Sequence, residues 1–199
     1  HLGNVSINQL RDSNYDNFSL SLGGSLARSE IDTALVEYGA SCNINGLFLA
    51  GNEELSDFHT IIDHAKSACT SHEYFKGIIS GNGNGVFNGR IIVRPGTKNT
   101  NSAQTNKNLL LSKDALVNTQ PVLEIFAEDV KCSHGATIGK LDLDQLFYLQ
   151  SRGIDLSYAR QLLTEAFAID LLSHVLQADL NQIMQDLIKH KLSQHLLKQ

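Results

Sequence analysis

Three places in this 199-residue chain bring together side chains with chemical reach. The first is Cys132-Ser133-His134. On a strand, a thiol and an imidazole two residues apart share one face, because side chains alternate at period two. Together they are a nucleophile and a base, or two metal ligands. A catalytic thiol also needs an orienting group and an oxyanion pocket, and neither shows in the sequence. The plainer alternative is a buried thiol beside a structural histidine. The second place holds His59, His64, Cys69 and His72. Zinc would need them to converge, and their spacing matches no helix-borne H-E-x-x-H pair. Ordinary strand and surface histidines are the better reading. The third is Gly81-Asn82-Gly83-Asn84-Gly85, which looks superficially like a phosphate loop. It lacks the Gly-Lys-Ser/Thr ending and leads through Asn88-Gly89-Arg90 toward more β-prone sequence, not into a helix. It reads as a tight turn.

The elements that must position these groups differ between the two parts of the chain. All 15 glycines lie at or before Gly153, and all asparagines but Asn181 lie at or before Asn118. Both residue types tolerate the left-handed backbone of tight turns. Between the turns run short β-prone segments near 18–22, 29–38, 43–49, 58–63, 74–79, 87–93, 108–111 and 122–125. Several alternate in polarity, as in Ser19-Leu20-Ser21-Leu22. No amphipathic helix separates them, which excludes a doubly wound α/β sheet. A sandwich, a barrel or a parallel solenoid remains, and pattern alone favours the commoner sandwich. The repeat is too loose to establish a solenoid.

The tail reads as helix. Asp142 can cap a short helix with Gln145 closing a capping box, and Gly153 ends it. Asp155 or Ser157 starts a second helix, with an apolar stripe of Leu162, Leu163, Ala166, Phe167, Ile169 and Leu172. Asp179 caps a third, with Leu180, Ile183, Met184, Leu187 and Ile188 on one face. Its late Lys189, Lys191 and Lys198 suit the negative end of the helix dipole. We therefore expect residues 1–140 to form a β core and 141–199 a helical domain.

Composition narrows the function classes. A hydrophobic fraction of 42% with 19% charged residues argues for a globular chain. A net charge of −5 argues against a general nucleic-acid binder. No run of 18 apolar residues offers a membrane span. The three cysteines, Cys42, Cys69 and Cys132, form no C-x-x-C pair, and no signal peptide opens the sequence. A reducing, cytoplasmic compartment is the expectation. The start at His1 rather than Met reads as a fragment or a trimmed chain.

Longer strings carry a resemblance. Asn108-Leu-Leu-Leu-Ser112, Pro121-Val-Leu-Glu-Ile125, Asp129-Val-Lys-Cys-Ser-His-Gly-Ala-Thr137, Gln145-Leu-Phe-Tyr-Leu149 and Ser151-Arg-Gly-Ile154 occur in order. Upstream, Lys76-Gly77 and Phe87-Asn-Gly-Arg-Ile91 fit the same pattern. Together they resemble the C-terminal core of the SufB/SufD family of iron–sulfur assembly proteins, closely over roughly residues 55–170. The Cys-Ser-His-Gly-Ala-Thr string resembles the SufD branch. The SufB version has a glutamate where Gly135 stands, and a cluster-assembly cysteine upstream; this chain has no cysteine between Asn88 and Lys131.

The resemblance implies a mainly β fold, a right-handed parallel β-helix followed by a small C-terminal α-helical domain, in place of the sandwich. It implies a non-catalytic, SufD-like subunit in complex with SufB and the ABC-type ATPase SufC. Pairing with SufB would use the end of the β-helix, with His134 and Cys132 at the junction and His134 as a transient metal ligand. SufC would dock on the helical domain around Leu146, Phe147, Tyr148, Arg152, Gly153 and Leu163. No stably bound cofactor is implied: an iron–sulfur cluster would form transiently at the interface, and ATP would enter only through SufC. The isolated chain is expected to form a homodimer that imitates the SufB–SufD pairing, with no nucleic-acid or membrane partner. Two alternatives stay open: a SufB-like cluster scaffold, and a β-helix carbohydrate-active enzyme.

Overall fold

The computed structural model describes residues 1–175 and 178–193. Ten strands follow one another: β1 (Leu2–Gln9), β2 (Asn14–Ser21), β3 (Ala27–Leu35), β4 (Ser41–Ala50), β5 (Leu55–His64), β6 (Thr70–Ile79), β7 (Asn84–Val93), β8 (Thr100–Leu110), β9 (Leu116–Ile125) and β10 (Val130–Gly139). Odd strands form one parallel sheet in the order β1-β3-β5-β7-β9, here sheet A. Even strands form a second parallel sheet, sheet B, in the order β2-β4-β6-β8-β10. Consecutive strands never pair with each other; each pairs with the strand two further on. The chain therefore winds as a solenoid of about five turns, two strands to a turn, and the sandwich favoured by pattern alone is overruled. The register offset grows from Leu2↔Arg28 to Asn84↔Leu116, which is why no clean repeat length shows in the sequence. Every β-prone segment marked in the sequence overlaps one strand. Two strands fall outside those segments: β10, and the polar β1, in which Val5 and Ile7 are the only β-branched apolar residues.

Parallel stacking puts each side chain over its counterpart in the next turn, so the core has to fit column by column. Phe48, Phe58, Phe75 and Phe87 form a ladder of rings with successive centroids 5.9, 5.3 and 4.9 Å apart. The register pairs Phe48 with Gly77 and Gly46 with Phe75. A methyl group on either glycine would overlap the facing ring. Corners use backbone that favours glycine, as at Gly81 (φ +57°). The Gly81–Gly85 segment is such a corner, and Gly83 there lies against the carbonyl of Gly51.

The tail forms α1 (Leu143–Ser151), α2 (Leu156–Asp170), a 3-10 turn (Leu171–His174) and α3 (Ala178–Lys191). Asp142 caps α1, accepting from the amides of Asp144 and Gln145, and Gly153 (φ +84°) follows its end. Of the two candidate caps for α2, it is Asp155 that accepts from Tyr158 N. The expected stripes shift. On α2, Ala159, Thr164 and Ala168 are buried and Ala166 is exposed. On α3, Ile188 is buried, whereas Leu180, Ile183 and Leu187 face outward. Asp179 sits in the first turn of α3, and Lys198 lies outside the described residues. The cause is the surface beneath. Leu47, Leu49, Ile78 and Leu109 point outward from sheet B and pack with Ala168, Leu171, Leu172, Ile188 and Leu192. Those strands are thus buried on both faces, and their alternation is lost.

One cation fastens this packing. Lys76 is only 3% exposed. Its Nζ donates to the carbonyl of Phe167 (2.8 Å) and to Asp170 Oδ2 (2.6 Å), and lies 4.6 Å from the centre of the Phe167 ring. Lys76 holds the Asp170 carboxyl below its ordinary value by this hydrogen bond. Lys191 adds an ion pair to Glu54 (2.9 Å), and Arg160 donates to the carbonyl of Leu111 (3.1 Å). Lys76→Met keeps the buried stem and deletes the charge. We expect it to destabilise the chain by about 2 kcal/mol, the scale of lost charged hydrogen bonds. Urea unfolding measures this; a loss below about 0.5 kcal/mol, the scale of a plain surface change, would refute the fastening role.

Candidate functional site

Two columns of inward side chains on sheet B end at the residues singled out in the sequence. One runs Tyr15, Cys42, Ser71, Ser102 and Cys132. The next runs Asn17, Ile44, Glu73, Gln104 and His134. β10 pairs only with β8, and β9 only with β7, so the last turn offers unpaired backbone groups along its outer edge. Cys132 is half-buried against the core. Burial pushes its thiol up from the ordinary value, with the Ser102 backbone acting against this, so at neutral pH it is protonated. His134 occupies an inward register position yet is exposed, because no further turn lies above it among the described residues.

Beneath the two residues the interior is polar. His64 Nε2 is 2.8 Å from Ser71 Oγ, which is 2.6 Å from Ser102 Oγ. Burial pushes the His64 imidazole down to about 4, against a weaker pull from Asp63. Gln104 Nε2 donates to Glu73 Oε2 at 2.5 Å. Burial pushes the Glu73 carboxyl up to about 7, with Thr60 and Gln104 acting the other way. Asn106 donates to the carbonyl of Phe75 (3.3 Å), and Asn108 donates to Asn106. Sequence reasoning missed Glu73 and Gln104. In a strand, polar residues at alternate positions normally mark the solvent face, and here they mark the interior.

The other histidines and their cysteine neighbour scatter. His59 points outward from sheet A, 2.9 Å from Asp57. His64 is inside, Cys69 is buried and donates to the carbonyl of Glu37 (3.3 Å), and His72 is exposed on sheet B. Among the described residues no three His, Cys, Asp or Glu side chains converge as a metal site. The outer face of sheet A does gather charges that the sequence did not reveal as neighbours. They are committed to one another: Arg28 to Glu30 (2.6 Å) and Asp57 (3.0 Å), and Arg94 to Asp63 (2.6 Å).

On the tail, Phe147 is 72% exposed and Tyr148 57%. The Arg152 guanidinium lies 5.3 Å from the Tyr148 ring centre, and its Nη2 donates to the Tyr148 hydroxyl (3.3 Å). Gly153 is exposed beside them. Leu146 is buried and Leu163 half-buried. Leu146 also lines a cavity of about 350 Å³ with Leu110, Leu141, Leu143, Lys140 and Arg160. No described helix is long and apolar enough to cross a membrane.

A two-sheet parallel solenoid, polar at its open end and covered along one sheet by helices, defines the structural class. Comparison with known proteins places the chain within it. The SUF system FeS cluster assembly, SufBD core domain matches residues 1–167, and the chain belongs to that family. It is 44% identical over 153 residues to the iron–sulfur cluster assembly protein SufD of Escherichia coli, covering 77% of this chain and 36% of that protein. It is 35% identical over 180 residues to an iron–sulfur cluster assembly SufBD family protein of Synechocystis (90% of this chain, 40% of the relative). It is 36% identical over 175 residues to the chloroplastic protein ABCI7 of Arabidopsis thaliana (86% and 36%). The chain thus spans well under half the length of these relatives. Within the family the likeness is to SufD, as the Cys-Ser-His-Gly-Ala-Thr string suggested.

The two buried titrating groups pull stability in opposite directions. Glu73 titrates at about 7 when folded, above its ordinary 4.5, so the folded chain holds the extra proton and stability falls as pH rises through that window. His64 titrates at about 4, below its ordinary 6.5, so stability falls as pH drops from 6.5 toward 4. Between 4.5 and 6.5 the two slopes oppose each other. Glu73→Gln removes one of them. We expect that variant to gain up to about 3 kcal/mol over the parent above pH 7. Below pH 6.5 it should lose stability on acidification more steeply than the parent. Urea midpoints across this range test the assignment, and parallel curves for the two proteins would exclude it.

Proposed function

We propose that this chain works as a SufD-like, non-catalytic subunit of a SufB–SufC–SufD assembly, in a cytoplasmic, reducing setting, and that it presents His134 to a nascent iron–sulfur cluster. The supporting observation is the placement of His134, inward in register yet uncovered at the end of the stack. A strand added across β9 and β10 from SufB would satisfy the open edge and enclose the imidazole between two chains. In the isolated chain a second copy would take that place. Neutral imidazole is a good iron ligand, and one such ligand among thiolates raises a cluster's potential. The cluster is cargo here, formed at the junction and passed on, and ATP is consumed by SufC.

His134→Ala should leave the co-expressed complex intact in gel filtration and lower its iron and sulfide content severalfold. Cys132→Ala should lower it less, since this protonated thiol packs against the core. Full cluster content in the His134→Ala complex would overturn the reading.

The SufC contact is proposed around the exposed Phe147, Tyr148 and Arg152, with Gly153 beside them and Leu146 and Leu163 as its less exposed members. Removing the tail would be a poor test, because it strips the cover from Leu47, Leu49, Ile78 and Leu109. The double substitution Phe147→Ser and Tyr148→Ser leaves that packing alone. We expect it to weaken SufC binding at least about tenfold, the loss of two exposed aromatic anchors, while SufB pairing persists. Unchanged SufC affinity in a titration would place the contact elsewhere.

A further inference from the structure

The residue directly beneath His134 is not an inert support. Gln104 sits one turn below it in the same inward column, and neighbouring strands lie about 4.8 Å apart. The Gln104 side chain is buried. It lies across the interior toward Gly89, where any side chain would collide with its amide. Its Nε2 is taken by Glu73 Oε2. Above its titration at about 7 Glu73 is ionised and only accepts hydrogen bonds, so there the end of the amide facing it is the NH2 group. That fixes the amide's polarity. Its oxygen, Oε1, is left buried with no hydrogen-bond partner. A buried carbonyl oxygen without a donor is costly, and the one column neighbour not yet engaged is His134.

We propose that Gln104, held in one orientation by Glu73, is the positioning residue for His134: its Oε1, unpartnered as the side chains stand, is the acceptor for one imidazole N–H once the exposed ring rotates toward it, and the other ring nitrogen is then left unprotonated toward the open end of the solenoid. Histidines that bind metals usually donate their second N–H to a carbonyl or carboxylate, which sets the tautomer and steers the ring. Here the chain supplies that partner from the turn below, and Glu73 supports it from one turn deeper. The file Glu73–Gln104–His134 thus fixes both which nitrogen faces the cluster site and where it points. This rests on the proposed role of His134, but the contact itself can be judged separately.

Two readouts test it. The first uses the full chain with 15N-labelled histidine, assigning His134 by comparison with His134→Ala. Ring nitrogen shifts should report one dominant tautomer in the parent. Gln104→Met, of similar size, should move His134 toward the mixture of a solvent-exposed imidazole. Glu73→Gln should move it the same way but less, because an amide at position 73 no longer dictates which end of Gln104 faces it. An unchanged His134 tautomer ratio in both variants overturns the contact. The second readout is cluster content of the co-expressed complex with SufB and SufC. Gln104→Met should weaken iron retention about tenfold, as loss of such a partner does. It should have no further effect in a His134→Ala background, since the two act as one unit. An additional loss there would mean that Gln104 acts elsewhere, and would refute the positioning role. Full cluster content in His134→Ala alone would instead remove the role of His134, leaving the tautomer measurement to decide the contact.

Discussion

Register is the constraint on which the rest of this structure depends. Parallel strands stacked two apart force every inward side chain to sit over one from the turn below. Each column must then solve its own packing problem. Where one turn carries a phenylalanine ring, the next carries glycine, as at Phe48 over Gly77 and Phe75 over Gly46. Where one turn carries a serine, the next answers with a hydroxyl, as at Ser71 and Ser102. The same rule leaves the last turn unsatisfied by construction. β9 and β10 have a full turn on one side and no described strand on the other, so this edge of the last turn follows from the winding.

The helical tail resolves the asymmetry between the two sheets. Sheet A faces outward with arginines and carboxylates paired to each other, a surface that water can solvate. Part of sheet B faces outward with Leu47, Leu49, Ile78 and Leu109, which need a cover. α2, the 3-10 turn and α3 supply it, and Lys76 ties the cover down by reaching from the central strand β6 to the end of α2. A buried ammonium is costly unless its hydrogen bonds are met, and Phe167 O and Asp170 meet them. These helices are thus committed to sheet B, while the outer side of α1 and the open turn stay uncovered.

How much of this was legible in the sequence differs by element. Corners were legible, because glycine and asparagine have a conformational reason to be there. Helix starts were legible at Asp142 and Asp155, because capping is local chemistry. The faces of α2 and α3 were legible in part: Phe167, Leu172, Met184 and Ile188 of the expected stripes do pack on sheet B. Which residues are buried there depends on a sheet surface contributed by strands about 60 to 140 residues earlier, so a stripe read from the helix alone also fell on Ala166, Ile183 and Leu187. The winding itself came from resemblance, since drifting register offsets hide the repeat. Of the site, Cys132 and His134 stood out by type and spacing. Glu73 and Gln104 did not, because alternating polar residues in a strand look solvated until the fold turns them inward.

That inward polarity carries a further physical argument. β8 places Thr100, Ser102, Gln104, Asn106 and Asn108 on the interior, one turn below the open end. A polar layer there has a structural use: it ends the aromatic core with groups that tolerate water when the last turn is uncovered. Capping alone would be served by neutral side chains within that one turn. Glu73 lies a turn deeper, fully enclosed, and its displaced titration shows that burial opposes its charge. A carboxyl kept there against its solvation is the only group in the column that accepts and never donates once ionised. That property gives the Gln104 amide a direction, which a layer of neutral caps would not need.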